Sequence, residues 1–397
     1  MPQKEGETMT QENRQLMQLL KAHLTQGKAE ALPGVDWHTV IETVERQNIL
    51  AIAGDKMLEL KDTAFQSTEE SKQLYLKIMK QLYLMNKKEE KAARMFKLLK
   101  ENNIKTVALK GAAIRDLYPV PQWRTMGDID VLVSPKDMDK VKVLFSENDY
   151  KVSGTAEREW DCYKDKNLPW EIKCSLEAEY KDSYTHWNDI YYSNVQEWKH
   201  GQYKPINTLI FQHILLHTAT NLVTLGAGVR NLCDIALCMS NMPDIDYEAV
   251  KKVLEDEGYI KAYNAIINCV NYWFDVDISN TGVKKIKDEN IEAVTDYMLS
   301  ETIYGKRSPD NRLTHWTLRK DDISPWRKIF FPSVKIMKMP YPYLKKYPFL
   351  LPIAWIQRAF NAIVTQKIPV SNMIKGMKES VDYANEHDKL MNELDLK

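Results

Sequence analysis

Apolar residues recur every three to four positions along most of this chain, and only near the middle does the period shorten to two. Three segments before residue 103 carry the helical period: 11–27, 37–60 and 69–102. In the third, Leu74, Leu76, Ile78, Met79, Leu82, Tyr83 and Met85 fall among many Lys and Glu, which predicts a long amphipathic helix whose stripe is core. At Ile104 the pattern changes. A short apolar strand over 106–109 ends at Lys110-Gly111, and a helical turn follows until Pro119 and Pro121 break it. A second strand is predicted over 128–133, and then a helix over 135–147 with Ser134 as its cap and Pro135 at its first position. Strand-like pieces come next at 150–153 and 170–174. In the latter Glu171 and Lys173 alternate with Trp170, Ile172 and Cys174, so Glu171 faces away from Ile172. The helical period returns over 209–225, 229–239, 247–257 and 260–274.

This order predicts an α+β fold with a small mixed β-sheet as its core, flanked by N- and C-terminal helical regions. The expected division is a helical region at 1–95, an α/β core at 96–204, a helical support at 205–300, and a Pro-rich, aromatic and basic region at 301–397. The 397 residues are 44% apolar and 28% charged, as in ordinary globular proteins. Lys plus Arg equals Asp plus Glu at 55 each, so no global basic excess advertises a nucleic-acid binder, and DNA is not an expected partner. Cys162, Cys174, Cys233, Cys238 and Cys269 form no C-x-x-C pair and are read as reduced, buried thiols. The polar first residues lack the apolar run of a secretory signal, which points to the cytoplasm. Between Ser324 and Lys367 there are eight Lys or Arg and no Asp or Glu, among many aromatic residues and prolines. Such a segment can lie on an anionic membrane, giving a peripheral location, though no run is long enough to span one.

The chemistry concentrates between Val107 and Val133. Carboxylates at i and i+2 on a strand point to one side, so Asp128 and Asp130 can share a divalent cation while Ile129 and Val131 face the core. Glu171 becomes a third carboxylate if its strand lies beside theirs. His213 and His217 stand at i, i+4, but the sequence HILLH lacks the Glu of H-E-x-x-H and has no third ligand at a telling spacing, so a packed helix is the reading. Arg230 and Asp234 form an i, i+4 pair on one helical face.

Lys110-Gly111, Tyr118-Pro119, Arg124, Asp128-Ile129-Asp130, Glu171 and the stretch from His213-Ile-Leu-Leu-His217 to Arg230-Asn-Leu-Cys-Asp234 occur in order between about residues 37 and 300. In this the chain resembles the uncharacterised bacterial nucleotidyltransferase family of the DNA polymerase β-like superfamily. The resemblance implies a nucleotidyltransferase core in which Asp128, Asp130 and Glu171 hold two Mg²⁺ ions, with Mn²⁺ as substitute, around the triphosphate of an NTP. The turn at Lys110, Gly111 and Ala112 would meet the β and γ phosphates, Arg124 would clamp phosphate, and His217, Arg230 and Asp234 would support the cleft. The implied reaction moves a nucleoside monophosphate onto a hydroxyl of a small molecule, a protein or an RNA end, with pyrophosphate as the other product. Two departures stand out: Gly111-Ala112 replaces the usual Gly-Gly or Gly-Ser, and Lys173 occupies the usual His position.

Two alternatives remain at this point. A metal-dependent glycosyltransferase would use Asp128 and Asp130 for Mn²⁺ and a nucleotide sugar, but leaves Lys110-Gly111 and Glu171 without a role. A catalytically degenerate fold would bind nucleotide, or act as a membrane-bound partner protein through the basic tail.

Overall fold

The computed structural model describes residues 9–61, 63–153, 159–164, 169–174, 176, 187–224, 226–300, 327, 330–338, 340–365, 378, 382, 385 and 387–396. The chain divides into two compact units, Met1–Leu222 with Gly226–Ile303, and Val223–Leu225 with Tyr304–Lys397.

The first unit is built on a mixed sheet of seven strands: β1 (Thr106–Ala108), β2 (Ile129–Val133), β3 (Lys151–Ser153), β4 (Glu159–Tyr163), β5 (Trp170–Lys173), β6 (Val195–Glu197) and β7 (Tyr203–Pro205). Their spatial order is β3-β4-β5-β2-β1-β7-β6, with β2–β5 and β1–β7 parallel and the other pairs antiparallel. The α+β class expected from the sequence is what the structure shows. All of β2 is buried, which suits a central strand covered on both faces.

Helices α1 (Gln11–Leu24), α2 (Trp37–Arg46), α3 (Leu50–Glu59) and α4 (Thr63–Gln66) precede the long α5 (Glu69–Glu101). The sequence period over 37–60 suggested one helix; the structure makes two, because Asn48 turns the chain at φ +56° between them. α5 starts where the Thr68 side chain accepts from the Ser71 N–H and Glu69 and Glu70 meet the helix dipole. It ends where Asn103 takes φ +55° and the Ile104 N–H returns to the Leu99 carbonyl. Early in α5, Ile78 packs so tightly on α3 that a Cβ on Gly54 would lie 2.6 Å from its Cδ1. Farther along, Met95, Phe96 and Leu99 face the sheet.

Residues of α5 and of α7 (Met138–Glu147) share one core with Ile129, Val131, Val133, Trp170 and Ile172. Phe96 and Phe145 both meet the Trp170 ring edge-on, at 4.8 and 5.5 Å. Each large side chain so buried stabilises the fold by roughly 1.5–3 kcal/mol. Ser134 precedes a 3-10 turn over Pro135–Asp137 without a side-chain capping bond, so its expected role as a cap is not met; the fixed φ of Pro135 starts the turn instead. The five cysteines are all buried thiols, none of them in a disulfide.

After α8 (Trp187–Ser193) and the β6–β7 hairpin come α9 (Asn207–Leu222), α10 (Val229–Asn241), α11 (Tyr247–Asp256), α12 (Ile260–Phe274) and α13 (Asp288–Ser300). α9 is buried almost all round, lying against β7 and against the short α6 (Lys110–Ile114) that follows β1. In the second unit, α14 (Val334–Met337) and α15 (Leu351–Thr365) enclose a small core of Met337, Leu344 and Ala354. The basic segment identified in the sequence lies partly outside the described residues. Among the described residues no helix is long and apolar enough to cross a membrane.

Candidate active site

The α5/α7 core occupies one face of the sheet, and the alternation of β2 and β5 turns their polar residues to the other. Asp130 and Glu171 are direct partners in the parallel β2–β5 ladder, so their side chains emerge side by side. Asp128, two residues before Asp130, reaches the same place from the start of β2. The three carboxylates each offer an oxygen within 4.8 Å of the others. This arrangement suits a hard divalent cation, which takes oxygen ligands. Asp130 is buried, Glu171 half-buried and Asp128 exposed.

Two ammonium groups offset most of this charge. Lys110 Nζ lies 3.0 Å from Asp130 Oδ1 and 3.8 Å from Glu171 Oε2. Lys173 Nζ lies 3.7 Å from Asp130 Oδ1 and 3.4 Å from Glu171 Oε2, and its side chain is only 4% exposed. Burial pushes the Asp130 carboxyl above the usual value, Lys110 opposes it, and the adjacent Glu171 adds to the push. Asp128 is raised too, first by its surroundings and then by the Asp130 charge. Lys173 is a site residue that the sequence reading noted as a departure and did not place in the site. Its alternation with Glu171 was the available signal. The β4 strand was not expected from the sequence, although Glu-Trp-Asp-Cys-Tyr over 159–163 has the period of two; in it Asp161 is the direct ladder partner of Glu171.

Lys110 opens α6 with φ +44°, in the left-handed region. A residue with a Cβ holds that conformation only where its surroundings impose it, and such strain gathers at functional sites. The Leu109 N–H donates to the Asp130 carbonyl at 3.0 Å, which fixes the turn beside the acids. The Ala112 N–H closes back on the Leu109 carbonyl at 3.1 Å.

Arg124 is held chiefly by a different carboxylate, Asp234, while the Asp128 charge also acts on it. Its Nε and Nη2 donate to Asp234 Oδ1 and Oδ2 at 3.1 and 2.7 Å, a two-pronged pair with both side chains buried. The Tyr118 hydroxyl donates to the same Oδ1 at 2.6 Å. Burial alone would lower the Arg124 value, but the Asp234 charge outweighs it and holds the guanidinium above its ordinary range. This guanidinium lies directly on Gly111, where an added Cβ would come within 2.3 Å of Nη1. The space left by the missing side chain at Gly111 is therefore filled by Arg124.

Asp234 thus bonds across to the segment between α6 and β2, and not along its own helix to Arg230 as the i, i+4 spacing suggested. Arg230 Nη1 reaches Thr125 Oγ1 at 3.2 Å and the Thr125 carbonyl at 3.4 Å. Together they tie α10 to the segment that leads through Asp128 into β2. His217 Nε2 stands 3.1 Å from Asn221 Nδ2 on α9, and His213 is buried with its ring edge-on to Tyr191 at 5.7 Å.

A mixed sheet presenting a carboxylate trio beside a strained Lys-Gly turn defines a candidate cation and phosphate cleft. The model of a family described as uncharacterised nucleotidyltransferase matches residues 33–275, and the chain belongs to that family. It is thereby a nucleotidyltransferase, the enzyme class expected from the sequence. No curated protein and no solved structure matches the chain.

Proposed function

We propose that this protein transfers a nucleoside monophosphate from an NTP to a hydroxyl acceptor, with Mg²⁺ as its cofactor and pyrophosphate as the leaving group. The observation that carries the reading is the convergence of Asp128, Asp130 and Glu171 within 4.8 Å on adjacent strands. Two divalent cations bound there would lower the pKa of the acceptor and neutralise charge on the phosphates. Asp128 and Asp130 would hold the ions. Glu171 completes the set and takes the acceptor's proton as the new bond to the α-phosphorus forms and the bond to pyrophosphate breaks. Lys110, on its strained turn with Gly111, presents its ammonium to the outer phosphates. Arg124, Tyr118, Arg230 and Asp234 act as positioning residues, holding the segment that leads into β2. The acceptor is a small molecule, a protein or an RNA end.

Calorimetric titration of each NTP, with and without Mg²⁺, into wild type and the Asp128→Asn/Asp130→Asn protein tests the site. The expected result is Mg²⁺-dependent binding of one or more NTPs, lost in the variant. A folded wild type that binds none of them would overturn the reading and turn the search to nucleotide sugars.

A second reading, a cleft that binds nucleotide without turnover, is favoured by the Lys173 ammonium at the carboxylates. Mg²⁺-dependent NTP binding without pyrophosphate release across a broad set of acceptors would establish it in place of the first.

A further inference from the structure

The second unit carries an exposed apolar face of its own. α15 is amphipathic with an apolar side turned outward. Ala354 is fully buried, and Leu351, Trp355 and Arg358 are half-buried around it. On the opposite side Ile353, Ile356 and Phe360 are 49%, 69% and 63% exposed. At helical geometry these three fall within an arc of about 60°. The inner side is pinned, since the Trp355 indole N–H donates to the Pro332 carbonyl at 2.9 Å and Phe331 meets the Trp355 ring edge-on at 5.1 Å. The outward stripe therefore follows from packing. Phe349, just before the helix, is 75% exposed, and Lys345 and Lys346 beside it are exposed as well.

Isolated apolar side chains on a surface are ordinary, whereas a contiguous set at one helical face marks a partner. The charge pattern identifies which kind. The eight Lys or Arg between Ser324 and Lys367 have no Asp or Glu among them to answer a second copy of the same face. Two such faces brought together by a twofold axis would set like charges against each other. A bilayer with anionic headgroups supplies both complements, negative charge for the lysines and an acyl boundary for the phenylalanines and isoleucines. The helix has 15 residues, about 22 Å long, against about 30 Å of hydrocarbon, so it fits the plane of the interface and not a crossing.

We propose that the face formed by Phe349, Ile353, Ile356, Phe360, Lys345 and Lys346 docks the protein onto an anionic lipid bilayer. The inference is independent of the chemistry in the cleft. Its test is co-sedimentation of the full chain with vesicles of phosphatidylcholine alone or mixed with phosphatidylglycerol. Wild type is expected to sediment with the anionic vesicles, less so as salt rises, and weakly with phosphatidylcholine alone. Ile356→Glu/Phe360→Glu is expected to lower the partition at least tenfold, taking about 0.8 kcal/mol per buried CH₂ as the scale of the apolar contribution. Lys345→Ala/Lys346→Ala is expected to lower it by about fivefold for each charge removed. All four positions are exposed, and far-UV circular dichroism with thermal melting checks that each variant keeps the wild-type fold. Equal partition of both variants and wild type, or equal binding to the two kinds of vesicle, would overturn the proposal. So would a wild type that ignores vesicles and forms a dimer that Ile356→Glu/Phe360→Glu dissociates, because the stripe would then be a self-association surface.

Discussion

Glu171 is the residue on which the proposed chemistry turns, since it is the only one of the three carboxylates on a second strand. Replacing it by Gln keeps its shape and its place opposite Asp130 while removing the charge and the proton acceptor. Pyrophosphate release is expected to fall at least about a hundredfold, the scale of lost general-base catalysis, with the circular dichroism spectrum unchanged. Unaltered turnover in Glu171→Gln would exclude it as base and ligand. His23 gives a different kind of residue-scale prediction. Its side chain is wholly buried, with Nδ1 3.2 Å from Asp55 and its ring 4.8 Å from Trp123. Burial lowers its pKa below the ordinary 6.5, even though the Asp55 hydrogen bond pulls upward. Below 6.5 the unfolded chain takes up a proton that folded His23 refuses, so stability falls as the pH drops from there toward the folded value. Urea unfolding of wild type and His23→Gln, compared at about pH 7.5 and about pH 5.5, should show the steeper loss in wild type. Parallel losses in the two proteins would mean that His23 is not a source of the acid sensitivity.

Between elements, the Arg124–Asp234 pair carries the tightest constraint on the cleft. Removing one member leaves the other charged and buried, which costs about 3–5 kcal/mol. Asp234→Asn is expected to lose stability on that scale in chemical denaturation and to weaken NTP binding, because the segment leading to Asp128 loosens. A loss below about 1 kcal/mol would show that the pair is not what secures α10 to that segment. Gly111→Ala should perturb the same contact from the other side, since the new methyl group meets the guanidinium. The sequence made the helices and the two central strands readable because their apolar periods are long or flanked by clear breakers, and Ile260–Phe274 was bounded residue for residue. β6 and β7, three residues each, are too short to display a period. The trio at 128, 130 and 171 was legible from alternation and resemblance, but the register that sets Asp130 against Glu171 is a long-range fact. Asp234 lies 110 positions from Arg124, and its own helix offered Arg230 as a nearer partner. Burial decided that competition, because a two-pronged bond to a buried guanidinium satisfies both groups where a one-turn surface pair would not.

At the scale of the whole molecule, the candidate cleft lies within the first unit and the outward stripe of α15 within the second. Calorimetry is expected to resolve two transitions, and Mg²⁺ with a bound NTP should raise only that of the first unit. At a ligand concentration near a hundred times Kd the stabilisation is about 2.7 kcal/mol. A single transition shifted as one would show that the units unfold together. Lys110 and Lys173 also bear on the stability of the fold that carries the carboxylates. Three carboxylates gathered on one face would repel and strain the sheet, yet two internal cations leave the cluster only one charge short of neutrality. On the proposed mechanism, the resting protein would keep its fold when metal is scarce. Its melting temperature is expected to be indifferent to a chelator, whereas Lys173→Met, stripped of one internal counterion, should become dependent on added Mg²⁺ for its stability. On the proposed mechanism, an enzyme so built would wait through ion depletion in a folded, silent state and be armed by the cations that arrive with the nucleotide.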